Sequence, residues 1–244
     1  MKFNSIKTQL IIFFTIFAIF LSFKDRDALF LLTTSLSVFL AIGYDAALSF
    51  QKNKKIIVTE SSIISGLIIG FLLYSKQPWR IFVLTPLFAI GSKHLLRFKD
   101  RHIFNPAAFG IFLTIILLGA QTQWKGTYLW YILAPVGLYF ISKIRKLEVL
   151  IGYGLTALAL FGIQAVLQKE PFLNIFGYLS YFYIFVMVIE PKTTPVRPLG
   201  KFLFGIGVAS LVFILTEVGV KFDAELCSLL VLNLFVPLLN KIPK

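Results

Sequence analysis

Residues 28–50 read ALFLLTTSLSVFLAIGYDAALSF, and Asp45 is the one charged side chain in the run. The hydrocarbon core of a bilayer is about 30 Å thick, so a crossing helix needs roughly 17–25 mostly apolar residues. This run meets that length with no Gly-Pro or Asn-Gly break inside it. The rest of the 244-residue chain has the same character: 58% of its side chains are hydrophobic and 14% are charged. An average soluble domain has about 45–50% and about 25%. A water-soluble fold of this size cannot hide so much apolar surface, so the excess faces lipid.

Measured against the same thickness, the chain divides into ten apolar stretches. The first five are Gln9–Phe23, Ala28–Phe50, Ile57–Ser75, Ile81–Leu96 and Phe104–Ala120; the second five are Tyr128–Ser142, Leu147–Leu167, Phe172–Ile189, Leu199–Gly219 and Ala224–Leu239. The expectation is an all-α polytopic integral membrane protein with about ten transmembrane helices. Residues 1–244 then form a single transmembrane domain, with a first half of about 1–120 and a second of about 128–244. Several stretches are short, which leaves room for a re-entrant or broken segment. The first lacks a small-residue cleavage site and reads as a retained helix rather than a signal peptide.

The net charge of +13 follows the same topology. On ten crossings, 17 of the 24 Lys and Arg fall on the N-terminal side and 7 on the other. Lys2, Lys99 and Lys244 are among the 17. The positive-inside rule then expects a multi-pass protein of the cell (inner) membrane with both termini in the cytoplasm. The basic surplus is a topology signal, with anionic lipid as a second partner, and not a nucleic-acid footprint. One cysteine excludes an internal disulfide, a Cys-rich zinc site and a four-thiolate cluster. No phosphate loop, nucleophile elbow or His-Glu zinc signature is present. Accordingly, no catalytic residue and no metal ligand is expected.

Three segments interrupt the apolar pattern. In Glu60–Gly70, Ser62, Gly66 and Gly70 recur every four residues behind an expected Thr59 N-cap. Such a stripe serves close helix packing or forms a thin wall that admits a planar ligand. In His102–Gly110, Asn105 and Pro106 form a strong helix start among basic residues, either an ordinary capped loop or an anion site. In Glu190–Pro198, three prolines within eight residues forbid a continuing helix. Glu190 sits at the apolar border, where Lys192 or Arg197 is its expected partner. Asp45 is expected to snorkel or to pair with Lys52. Glu217, Asp223 and Glu225 read as a solvated rim, and Asn233 with Pro237 as a bend or a free carbonyl in the last helix.

Together these segments resemble the NqrB/RnfD family, the membrane proteins found in the sodium-translocating NADH:quinone oxidoreductase and in the Rnf ferredoxin:NAD oxidoreductase. Glu60–Gly70 is similar to the family's acidic-Ser-x-x-(Ser/Thr)-Gly-Leu helix. His102–Ala108 is similar to its Asn-(Ile/Pro)-Phe-Asn-Pro-Ala signature, Glu190–Pro195 to its Asp-Pro-x-(Ser/Thr)-x-Pro stretch, and Asn233–Leu238 to its Asn-Leu-Phe-Ala-Pro-Leu. The resemblance implies ten helices in two inverted five-helix halves, on a scaffold likened to urea transporters. It implies a flavin carried in the membrane, electron transport coupled to ion movement, and other membrane and soluble subunits as partners, including an FMN-binding protein. Large members attach FMN to the Thr of Ser-Gly-Ala-Thr; the corresponding loop here, Ala120–Thr127, lacks that motif. The flavin expected is therefore riboflavin or FMN held non-covalently. Ser65 and Gly66 would give it space, Asn105 and Pro106 would fix a helix end beside it, and Glu190, Lys192 and Thr193 would form the remainder. The chain is then an electron-transfer subunit rather than a stand-alone enzyme. The rival readings are a non-redox channel or carrier for a small polar solute, and an anchor for a soluble flavoprotein.

Overall fold

Ser5 opens the first helix by accepting the Thr8 N–H, so α1 runs Ile6–Lys24. Asp27 does the same for α2 (Ala28–Asn53) by accepting from Phe30. There follow α3 (Glu60–Leu72), α4 (Trp79–Leu95), a two-residue ladder of β1 (Arg97–Phe98) with β2 (Arg101–His102), α5 (Pro106–Leu118), α6 (Trp130–Ile144) and α7 (Leu147–Leu167). Next come a 3-10 turn at Phe172–Asn174, the short α8 (Ile175–Tyr178), a π-helical turn at Tyr183–Met187, α9 (Pro198–Val218) and α10 (Ala224–Leu239). This computed structural model describes residues 5–98 and 101–242. Lys2, Lys99 and Lys244 of the charge count lie outside the described residues. The chain forms two compact units, Met1–Gly126 and Thr127–Lys244.

The expected ten transmembrane helices in two inverted five-helix halves are not found. Among the described residues, four helices are long and apolar enough to cross a membrane: Ile6–Lys24, Ala28–Lys52, Leu147–Leu167 and Pro198–Val218. Glu60–Leu72, Pro106–Leu118, Trp130–Ile144 and Ala224–Leu239 are apolar but shorter. At 1.5 Å per residue, α3 and α5 reach only about 20 Å. The apolarity of α3 has another cause, because every residue from Ser65 to Leu72 is buried by protein. In the long helices only 28–39% of the apolar window is covered, so most of it is left for lipid. The stretch Phe172–Ile189 is no span at all but three short turns of differing pitch. Four membrane-length apolar helices make this a multi-pass membrane protein.

In the first unit, Phe71 near the end of α3 is ringed by Phe14, Phe17 and Phe30, with centroids 5.4–5.7 Å away. Beyond Leu72 the chain is extended, and Leu73 bridges Thr122 in antiparallel fashion. Gln123 N–H donates to the Leu72 carbonyl at 2.7 Å, and Lys125 N–H to that of Phe71 at 2.8 Å. Lys125 then pairs with Asp25 and Asp27 at 3.2 and 3.0 Å. In the second unit α7 packs along α9, and Gly152 and Gly205 let each backbone touch the other, as small residues do in membrane helix pairs.

Candidate functional site

In the first unit the charged residues converge on Asp45, which is 1% exposed. Lys93 Nζ lies 3.2 Å from its carboxylate and His94 Nε2 lies 2.8 Å away. Thr59 adds its N–H at 3.1 Å and its hydroxyl at 2.7 Å. The expected Lys52 partner is thus replaced by the end of α4. Thr59 does precede α3, but its side chain makes no capping bond, because its hydroxyl is spent on Asp45. A buried carboxylate needs a cation and hydrogen bonds to stay charged, and this one has both. Glu60 is bound separately: Thr8 Oγ1 donates to it at 2.9 Å and Ser5 Oγ at 3.3 Å.

Ser65 is buried and donates to the Ser61 carbonyl at 2.9 Å. Gly66 faces α2 at such close range that a Cβ there would lie 2.5 Å from Val38 Cα. The small-residue stripe is therefore filled by α2, through its backbone at Gly66 and through the Thr34 side chain at Gly70. Asn105 caps α5 as its sequence requires: Oδ1 accepts the Ala108 N–H at 3.1 Å and Pro106 takes the first helical position.

In the second unit the Glu190–Pro195 turn is held from several directions. Thr193 Oγ1 donates to Glu190 Oε2 at 3.1 Å, and Thr194 Oγ1 to the Glu190 carbonyl at 2.9 Å. Asn233 Nδ2 donates to the Thr193 carbonyl at 3.0 Å, and Lys146 Nζ to that of Pro195 at 2.6 Å. Asn240 Oδ1 accepts the Val196 N–H at 2.8 Å. Arg197, expected beside Glu190, instead donates to the Ile242 carbonyl. Lys192 is exposed. Lys146 and Lys201 are two functional candidates that the sequence pattern does not single out. Both are buried, and Lys201 reaches the Arg145 carbonyl at 2.7 Å and Glu148 at 3.2 Å. The one signal for Lys201 was a lysine inside the first turn of an apolar helix.

Asp223 caps α10 through the Leu226 N–H at 3.0 Å, Glu217 accepts from Gln164, and Glu225 is hydrogen-bonded to Ser180, so all three rim acids have structural partners. A separate groove of about 640 Å³ is lined by Thr127, Tyr128, Trp130, Phe176, Leu179 and Tyr181. No group of three or more His, Cys, Asp or Glu side chains suited to a metal ion occurs among the described residues.

Membrane-length helices with buried, hydrogen-bonded polar turns define a multi-pass membrane protein whose candidate site residues lie at helix ends and turns, apart from Ser65 and Gly66 within α3. Residues 127–244 match the model of the NQR2, RnfD, RnfE family. The match is partial, and it is consistent with membership of that broader family. It takes in the Glu190–Pro195 and Asn233–Leu238 segments, whereas Ser65, Gly66, Asn105 and Pro106 precede it. No curated protein matches the chain.

Proposed function

We propose that this protein is a membrane subunit of a redox-driven electron-transport complex of the Rnf/Nqr kind, carrying or scaffolding a flavin and assisting coupled ion transport. One observation carries the reading. Within the matched residues 127–244, two separate family-like segments are joined by the buried Asn233–Thr193 bond.

Riboflavin or FMN is proposed to bind non-covalently. An isoalloxazine ring is flat and apolar with a carbonyl edge, and reduction places negative charge at that edge. In the first unit the start of α5, at Asn105 and Pro106, offers the positive end of a helix dipole to such a charge. Glu190, Lys192 and Thr193 are proposed as a separate set of contacts within the second unit, where Lys192 supplies the cation. Other membrane subunits and a soluble FMN-binding protein would deliver the electrons. Both termini are proposed to face the cytoplasm. Lys52, Lys54 and Lys55 close α2 on the side from which α1 begins, whereas the end joining the two helices carries only Lys24 and Arg26.

Purification in mild detergent, followed by washing and absorption spectroscopy, tests the proposal. The expected result is a retained flavin in the native protein and a loss of it in Asn105→Leu. A colourless protein that passes a small polar solute in liposomes would make it a channel or carrier instead.

A further inference from the structure

We infer that one end of the first unit is a binding rim for anionic phospholipid. The inference rests on the membrane-spanning character of α2 and is independent of any flavin. Asp45 lies about 26 Å along α2 from Ala28 at 1.5 Å per residue, close to the thickness of a hydrocarbon core. Because Lys93 and His94 meet Asp45 directly, α4 ends at that same level. The β1–β2 ladder follows at once, so it lies where acyl chains give way to headgroups.

The ladder pairs Arg97 with His102 and Phe98 with Arg101. Successive strand residues point to opposite faces, and His102 is buried, so its face is the inner one. Phe98 and Arg101 are therefore cross-strand neighbours on the outer face. Phe98 is 55% exposed, and Leu95 just before the ladder is 82% exposed. The α2–α3 connection at this end repeats the pattern: Lys54 and Lys55 are exposed and Ile56 is 73% exposed.

Apolar tips interleaved with cations, at headgroup level, suit a single partner chemistry. Leu95, Phe98 and Ile56 enter the upper acyl region while Lys54, Lys55 and Arg101 meet phosphate and anionic headgroups. A zwitterionic lipid carries the phosphate but no net charge, so the rim selects the anionic lipid.

The full-length protein, purified from mixed micelles of equal phosphatidylglycerol and phosphatidylcholine, tests this by counting the lipids retained per chain. Phosphatidylglycerol should be enriched over phosphatidylcholine. The combined variant Lys54→Gln, Lys55→Gln, Arg101→Gln should lose roughly a hundredfold in affinity for phosphatidylglycerol, and with it the enrichment, since each basic residue near such a surface contributes on the order of 1 kcal/mol. If that variant fails to fold, raising the salt on the native protein gives the same readout, because exposed charges are screened. Equal retention of the two lipids, or an enrichment indifferent to both the variant and salt, would overturn the inference.

Discussion

Asn233 Nδ2 donates to the Thr193 carbonyl oxygen at 3.0 Å, and both residues are buried. The bond ties α10 to the proline-rich turn that precedes α9. It leaves neither partner exposed to lipid, where an unsatisfied carbonyl is costly.

Asn233→Leu fills similar volume but strands the Thr193 carbonyl. A buried acceptor without a donor costs about 1–3 kcal/mol. Thermal unfolding in detergent should show a lower midpoint, and hydrogen exchange at residues 193–196 should speed up. An unchanged midpoint would mean that the turn is held by Lys146 and Asn240 alone.

Asp45→Asn removes the charge that Lys93 and His94 share. Breaking one side of a buried pair costs about 3–5 kcal/mol, because the other charge stays behind. The double variant Asp45→Asn, Lys93→Met should recover part of that loss in a double-mutant cycle. Additive losses would show that the pair is not coupled.

Gly66→Val places a branched side chain where α2 backbone already lies, with the first added carbon 2.5 Å from Val38 Cα. Backbone cannot give way as a side-chain tip does, so α2 and α3 must separate. Overpacking of this kind costs about 1–3 kcal/mol, to be read as a lower unfolding midpoint than in Ser61→Val, where residue 61 is only half-buried.

Stability should also fall in acid through Asp27, which sits just before α2. Burial opposes its ionisation, but the Lys125 ammonium, the Phe30 N–H and the Ser75 hydroxyl outweigh that effect and hold its carboxyl below the ordinary 3.8. The folded state therefore binds protons less readily than the unfolded chain. The stabilisation is complete above the ordinary value and is lost as pH falls through the depressed one. Midpoints measured from about pH 5 downward should drop more steeply for the native protein than for Asp27→Asn. Parallel curves would remove Asp27 from the acid response.

The long helices were legible because lipid demands an unbroken apolar run of fixed length. Leu147–Leu167 has the expected bounds, and α1, α2 and α9 differ from theirs by a few residues. The α5 start was equally legible, since Asn105 and Pro106 act on their own neighbours. The short helices were legible as helices, α10 with its expected bounds, but what covers them was not. Residues 65–72 look the same in one dimension whether lipid or protein covers them, and only the packing of α2 and Phe14, Phe17 and Phe30 decides it. Asp45 was misread for a related reason: its partners stand 48 and 49 residues away, beyond any local pattern. Thr59 was expected to cap its own helix, and that distant carboxylate takes its hydroxyl instead.

The central claim is tested most directly by an oxidised-minus-reduced difference spectrum of the native protein, purified in mild detergent and reduced with dithionite. The account predicts bleaching of a flavin band near stoichiometric with the polypeptide, removed by Asn105→Leu. A flat difference spectrum from folded, freshly purified protein would contradict it.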